Sequence, residues 1–356
     1  MPIKVGVVGL RRGRSLAAVL SRHKETEVVV VADRDEQVAA AVADDLGVSR
    51  RERDFEGVLG YGLDAVVIAT PAPEHARQSI AALRAGMHVL SEVPAAWDLD
   101  ECECLVRTVE ETGRKYMLAE NVCYFPRTLA WKRAIEDGRL GAIFYAEAEY
   151  VHDCRGMMTD EHGKPTWRAT MPPIHYCTHS IGPLAYWTGD RCVSACGLDT
   201  GCHGAPELGV TDMEVGIFRT AGGAVWKCLC GFSVRREPGW HYYCLYGTNG
   251  MIESARAPWD EDKAYFADDE STVGPARSTI EPIEGEAPPE ARLGGHGDSE
   301  WFMVADFLRC VIEDTPPPID VYAAMDYTAP GICAHLSAQR GGEPVYVPDF
   351  RSARGG

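Results

Sequence analysis

No stretch of this chain approaches the roughly 18 uninterrupted apolar residues of a membrane helix. The N-terminus "MPIKVGVVGL" also lacks the basic segment, long apolar run and small-residue cleavage site of a secretory leader. Positive charge is scarce: Lys+Arg 35 against Asp+Glu 53 gives a net charge of −18 over 356 residues. A surface of that sign repels phosphates, which argues against nucleic acid and membranes as partners. Paired zinc-ribbon spacing is missing from the 13 cysteines. Cys102-Glu103-Cys104 and Cys228-Leu229-Cys230 are the tightest pairs, and one intervening residue suits a tetrahedral ion poorly. In the strand-like "VWKCLCGF" that spacing puts both thiols on one face, where they pack as small apolar groups. What remains is a globular composition, 46% apolar and 25% charged. It fits a cytoplasmic protein in a reducing compartment, long enough for two domains.

The N-terminal part alternates short β-branched runs with helical patterns: "IKVGVVGL", "TEVVVVADRDE", "LDAVVIATPAPEH", "MHVLSEVP" and "KYMLAENV", with "QVAAAVADDLG", "ARQSIAALRAG" and "DLDECECLVRTVEETG" between them. That rhythm predicts an α/β domain, a Rossmann doubly wound parallel sheet over residues 1–121. From 122 to 356 the strands lengthen and helices thin out, predicting an α+β domain on a large mixed or antiparallel sheet. A C-terminal segment is expected to pack back on the first domain. Residues 255–298, rich in Glu, Asp, Pro and Gly, read as a long surface loop.

Gly9-Leu10-Arg11-Arg12-Gly13-Arg14-Ser15 stands where the first strand becomes a helix, the place where a dinucleotide pyrophosphate rests on backbone N–H groups. The loop departs from G-x-G-x-x-G, since Arg11 takes the middle glycine's place. Arg11, Arg12 and Arg14 are the local positive charge set against a pyrophosphate, or else solvated surface. Asp33 follows about 20 residues on, at the end of the second strand, where a carboxylate accepts from ribose hydroxyls and repels a 2′-phosphate. NAD is therefore the expected cofactor. Arg34 beside it either stacks on adenine or tolerates a phosphate.

Ala69-Thr70-Pro71-Ala72-Pro73-Glu74-His75 resembles the third-strand motif of the Gfo/Idh/MocA family of NAD(P)-dependent oxidoreductases. The likeness implies that Thr70, Pro71, His75 and Asn121 contact the cofactor. Most of that family reads Glu-Lys-Pro where this chain has Glu92-Val93-Pro94, and a valine cannot exchange the proton that the lysine handles. The segments "SEVPAA", "MLAENVCY", "AEYVHDCRG" and "YCTHSIGP" are similar to a branch of NAD-dependent glycoside hydrolases that contains α-N-acetylgalactosaminidases.

That resemblance implies catalytic residues Tyr176, His179, Glu92 and Tyr124, with Glu92 also holding the nicotinamide ribose or a sugar hydroxyl. On a helix, Tyr176 and His179 at i and i+3 face one way. A phenol then serves as base at carbon 2 of the sugar and an imidazole as acceptor of a hydroxyl proton. His152, Asp153 and Arg155 either bind a polyol or support the core, and Trp167-Arg168 either cover the site or anchor a loop. His175 joins them on the substrate side. His175 and His179 at i and i+4 also have metal-ligand spacing, but no H-E-x-x-H occurs and no metal is expected. The branch implies transient oxidation at carbon 3, elimination of the aglycone, water addition and re-reduction of a small carbohydrate substrate. A sugar or cyclitol dehydrogenase with net cofactor turnover is the alternative, and an NAD-binding sensor a third. A homodimer or homotetramer is implied by the resemblance alone.

Overall fold

The β-branched run at the N-terminus forms strand β1 (Ile3–Val8) in a computed structural model, which describes residues 2–236, 240–257, 259–267, 278–282, 288 and 299–351. Helix α1 (Leu10–Leu20) follows directly. Next come β2 (Thr26–Ala32), α2 (Glu36–Leu46), β3 (Arg50–Glu52), the single turn α3 (Phe55–Val58) and β4 (Ala65–Ile68). Helix α4 (His75–Arg84), β5 (His88–Ser91), α5 (Leu99–Thr112) and β6 (Tyr116–Leu118) complete the pattern. Helix boundaries follow local chemistry. Asp35 caps α2 by accepting the N–H groups of Gln37 and Val38, and Gly47, at φ 68°, ends it in the left-handed region.

The six strands are parallel, in the order β3-β2-β1-β4-β5-β6. Val5, Val7, Val66, Val67 and Leu90 are fully buried, as strands covered on both faces require. Chain order reverses between β1 and β4, so the carboxyl ends at Val8 and Ile68 form the switch point where such sheets hold ligands.

The other sheet is built by β7 (Ile143–Val151), β8 (Cys192–Asp199), β9 (Met213–Thr220), β10 (Val225–Gly231), β11 (Trp240–Gly247), β12 (Gly250–Glu253), β13 (Lys263–Phe266) and β14 (Val345–Tyr346). Its order is β13-β12-β11-β7-β10-β9-β8-β14, antiparallel except where β7 and β10 run parallel. One cross-strand row, Ala195, Phe218, Trp226, Ala146, Leu245, Ile252 and Ala264, is buried throughout. Helices α6 (Pro126–Glu136) and α7 (Thr178–Thr188) belong to the same unit, locked by Trp131 against Trp187 with ring centroids 5.1 Å apart. Cys228 and Cys230 share the buried face, their sulfurs 3.7 Å apart.

Two expectations change. Lys263–Phe266 is an edge strand paired with β12, not surface loop, because Ala264 and Phe266 are apolar at period two. Most of the remaining stretch from 255 to 298 lies outside the described residues. The break expected after residue 121 falls after Phe125: the described residues up to Phe125 cluster with those from 288 to Met325, and the others form the second unit. The 3-10 turn Asn121–Tyr124 stays with the first unit, where the Tyr124 hydroxyl donates to Asp306 at 3.0 Å.

Candidate active site

The turn between β1 and α1 is built on Gly9, whose φ of 84° disfavours side chains and where an added Cβ would sit 2.4 Å from the Ala69 carbonyl oxygen. Gly13 lets α1 approach the sheet: a Cβ there would meet Val7 at 3.1 Å and Ala69 at 3.2 Å. Those are the turn-forming and packing roles of dinucleotide-loop glycines. The Asp33 carboxylate is part of this turn, accepting the Leu10 N–H at 2.7 Å on Oδ2 and the Asp35 N–H at 2.9 Å on Oδ1. Strand end, glycine turn, helix start and carboxylate together fit a dinucleotide.

Each of the three arginines meets a carboxylate of the chain itself, and Arg11 and Arg14 are solvated, the other reading the sequence left open. Arg11, 80% exposed, reaches Asp35 at 3.4 Å, and Arg14 pairs with Asp45. Arg12 lies between two buried carboxylates, Glu92 at 2.8 Å and Glu300 at 2.6 Å, and also donates to Ser15 at 2.7 Å. Its charge is consumed by the fold, because a buried carboxylate needs a partner. Arg34 is exposed.

His75 turns out to be a clamp. Buried at the start of α4, it holds Nδ1 2.9 Å from the Pro94 carbonyl and Nε2 2.7 Å from that of Thr70, joining the loops after β5 and β4. Burial lowers its pKa, opposed by those carbonyls. The Thr70 hydroxyl donates to Gln78 at 2.7 Å, and Pro71 precedes the 3-10 turn Ala72–Glu74. Asn121 is buried in the turn that carries Tyr124.

In the second unit, Tyr176 and His179 come together with ring centroids 5.3 Å apart. They do not share one helix. Tyr176 ends the 3-10 turn Pro173–Tyr176, Cys177 links it to α7, and His179 lies in the first turn of α7. Around them stand residues that sequence patterns did not single out. Tyr150 of β7 lies 5.9 Å from Tyr176 and 5.3 Å from His179. Its strand partner His241 stacks on it at 4.4 Å and stands edge-on to His179 at 5.4 Å. Phe232 closes one side, 5.2 Å from Tyr150, and the Tyr243 hydroxyl donates to the His179 carbonyl. Burial is the main cause raising the Tyr150 pKa, so this phenol keeps its proton at neutral pH. The sequence hints at them only weakly: Tyr150 lies inside the "AEYVHDCRG" segment, and both residues sit at the ends of long strand patterns.

Of the other expected substrate residues, Arg168 joins this cluster, its guanidinium 5.9 Å from the Tyr176 ring centre and 4.5 Å from that of Trp167. His152 lies 6.2 Å from the Tyr150 ring. Asp153 and Arg155 pair with each other through two contacts, 2.8 and 2.6 Å, and that guanidinium holds the carboxyl down at about 2. His175 belongs elsewhere: it is buried edge-on to His335 at 5.2 Å, and burial lowers its pKa to about 3, helped by His335. One residue along a tight turn is enough to reverse a side chain's direction.

Three family models match the chain: an oxidoreductase family with an NAD-binding Rossmann fold over residues 3–120, a Gfo/Idh/MocA C-terminal domain over 128–253 and a glycosyl hydrolase 109 C-terminal domain over 282–355. A glycosyl hydrolase family 109 protein of Solibacter usitatus is 29% identical, the match covering 98% of this chain and 88% of that one. An alpha-N-acetylgalactosaminidase of Tannerella forsythia is 27% identical over 84% of this chain and 73% of that one. Among solved structures, levoglucosan dehydrogenase in complex with NADH and levoglucosan superposes with a TM-score of 0.82 at 22% identity, covering 98% of this chain and 100% of that one, a likeness of fold. Among the described residues, no helix is long and apolar enough to cross a membrane. The chain belongs to the Gfo/Idh/MocA oxidoreductase family, with an NAD-binding Rossmann fold at its N-terminus and a C-terminal region of the glycosyl hydrolase 109 type.

Proposed function

We propose that this chain is an NAD-dependent glycoside hydrolase that cleaves by transient oxidation, elimination, water addition and re-reduction. The observation that carries the reading is the Tyr176–His179 pair, 5.3 Å between ring centres, in a chain whose Glu92-Val93-Pro94 segment lacks the proton-exchanging lysine of related dehydrogenases. The glycosyl hydrolase 109 match at the C-terminus and the names of the relatives support a sugar substrate.

Bound NAD would accept a hydride from carbon 3 of the sugar and return it at the end, leaving net hydrolysis. The turn at Gly9, the Asp33 carboxylate and the loop after β4 are the residues that would hold it. His179 takes the proton of the carbon 3 hydroxyl as the general base of the oxidation. The ketone acidifies the neighbouring C–H, and Tyr176 removes the carbon 2 proton while the aglycone leaves carbon 1 with the electron pair of its C–O bond. The Arg168 guanidinium supplies opposite charge beside the phenolate. Water then adds at carbon 1 and the proton it loses neutralises the departed aglycone, while Tyr176 returns its proton to carbon 2 and His179 returns its proton to the carbon 3 oxygen. Tyr150, which keeps its proton, donates to a sugar oxygen. Glu92, held by Arg12, accepts from a ribose or sugar hydroxyl.

A homo-oligomer goes with this reading. Leu198, Ile217 and Tyr246 share the face of the second sheet opposite its buried row, at 57%, 44% and 40% exposure, an apolar surface suited to a second copy. The function is tested with purified protein, NAD+ and aryl glycosides, beginning with N-acetyl-α-galactosaminides. Aglycone release without accumulation of NADH is expected. NADH accumulation with free sugars, and no release, would establish the dehydrogenase instead.

A further inference from the structure

Glu214 is a buried carboxylate on β9 that the proposed chemistry does not use. It lies in a cross-strand row, Glu214, Cys230, Tyr150 and His241, so the same row carries two members of the aromatic cluster. A charge taken out of water costs several kcal/mol unless it is paired, and Glu214 has two partners. Oε2 accepts the backbone N–H of Ile174 at 3.0 Å, and Oε1 lies 2.7 Å from Nδ1 of His335 on the helix Val321–Ala338. A carboxylate has no proton to give, so the His335 Nδ1–H is the donor. The other ring nitrogen lies 2.9 Å from Nε2 of Gln339, which donates to it and fixes that tautomer.

Ile174 is two residues before Tyr176 in the 3-10 turn Pro173–Tyr176. The other side of the turn is held as closely. The Cys177 thiol donates to the Tyr327 carbonyl at 3.4 Å, and Gly331 packs so near that an added Cβ would stand 2.2 Å from the Ile174 carbonyl oxygen. The turn that carries Tyr176 into α7 and His179 is thus gripped between a buried carboxylate on the sheet and one face of a helix.

We infer that Glu214 and His335 are positioning residues: by holding the Ile174 N–H they set the turn that aims Tyr176 and His179. The inference rests on the reading of those two residues as the acid–base pair. Misplacing reacting groups by about 1 Å costs on the order of a hundredfold in rate, and such an error changes kcat more than ground-state binding of the sugar.

The test uses the full chain with NAD+ and compares Glu214→Ala, Glu214→Gln and His335→Ala. It reads kcat and KM for aglycone release, melting temperature and the imidazole NMR resonance of His179 without substrate. Glutamine keeps an acceptor for Ile174, whereas alanine does not. Glu214→Ala is expected to lower kcat about a hundredfold with KM within about twofold, and Glu214→Gln to restore kcat to within about fivefold of the parent. The His179 resonance moves in the alanine variant and stays in the glutamine variant. His335→Ala, whose ring is partly exposed, is expected to lower kcat about tenfold and decides the matter if Glu214→Ala does not fold. Equal losses in Glu214→Ala and Glu214→Gln, or parental kcat in His335→Ala, would overturn the inference. If the parent chain releases no aglycone, the hydrolase reading fails separately, and the His179 resonance still decides whether Glu214 sets the turn.

Discussion

The imidazole of His241 lies flat on the phenol of Tyr150, ring centroids 4.4 Å apart and planes within 6° of parallel. The two are register partners on β11 and β7, so the sheet itself sets their separation. Burial keeps the phenol protonated, which makes it a donor and not a base. Tyr150→Phe removes that donor and leaves the ring stack. It is expected to lower kcat for aglycone release by about 10- to 100-fold with little change in melting temperature, measured by steady-state kinetics beside thermal unfolding.

Tyr176→Phe removes the proposed carbon 2 base while keeping the ring against Phe232 and Tyr150. Aglycone release should fall by about 10²- to 10⁴-fold, and NAD+ affinity by titration calorimetry should be unchanged. Parental turnover in this variant would assign the base elsewhere.

Arg11 and Arg12 are adjacent in sequence and opposite in consequence. Arg12 lies between the buried carboxylates Glu92 and Glu300, so Arg12→Met takes the opposite charge from both. A loss of about 3–5 kcal/mol is expected in chemical denaturation. Arg11 is exposed and its contact with Asp35 is long, so Arg11→Ala should stay within about 0.5 kcal/mol of the parent.

His175 gives a pH dependence with a definite sign. Its pKa falls from 6.5 to about 3 on folding, so below 6.5 the unfolded chain takes up a proton that the folded chain refuses. Stability is complete above pH 6.5 and declines toward 3, by about 1.4 kcal/mol for each pH unit. His75, also lowered by burial, adds in the same direction. Urea denaturation between pH 7 and 5 should show a shallower acid loss for His175→Leu than for the parent, with the His75 part remaining.

The contrast between legible and illegible features follows sequence distance. Strand β1, the turn at Gly9 and Asp33 at the end of β2 are written in local periodicity and in residues about 20 apart, and the six-stranded parallel sheet follows from repeating that unit. That Tyr176 and His179 lie together is legible because they share one short motif. What could not be read depends on pairings between distant segments. Arg12 meets Glu300 from the far end of the chain, and His335 meets Glu214 across two elements. His241 reaches Tyr150 only because β11 pairs with β7 in one register. His175 went astray because the motif breaks into a 3-10 turn followed by a helix, while helical spacing presumes one unbroken element.

The central claim is that hydrolysis passes through loss and return of the proton at carbon 2. Its most direct test is hydrolysis of an aryl glycoside in heavy water with NAD+ present, followed by NMR of the released sugar. The account predicts deuterium at carbon 2 of the product, introduced during turnover at a rate that falls together with aglycone release in Tyr176→Phe. A product sugar that keeps its original hydrogen at carbon 2 through complete hydrolysis would contradict it.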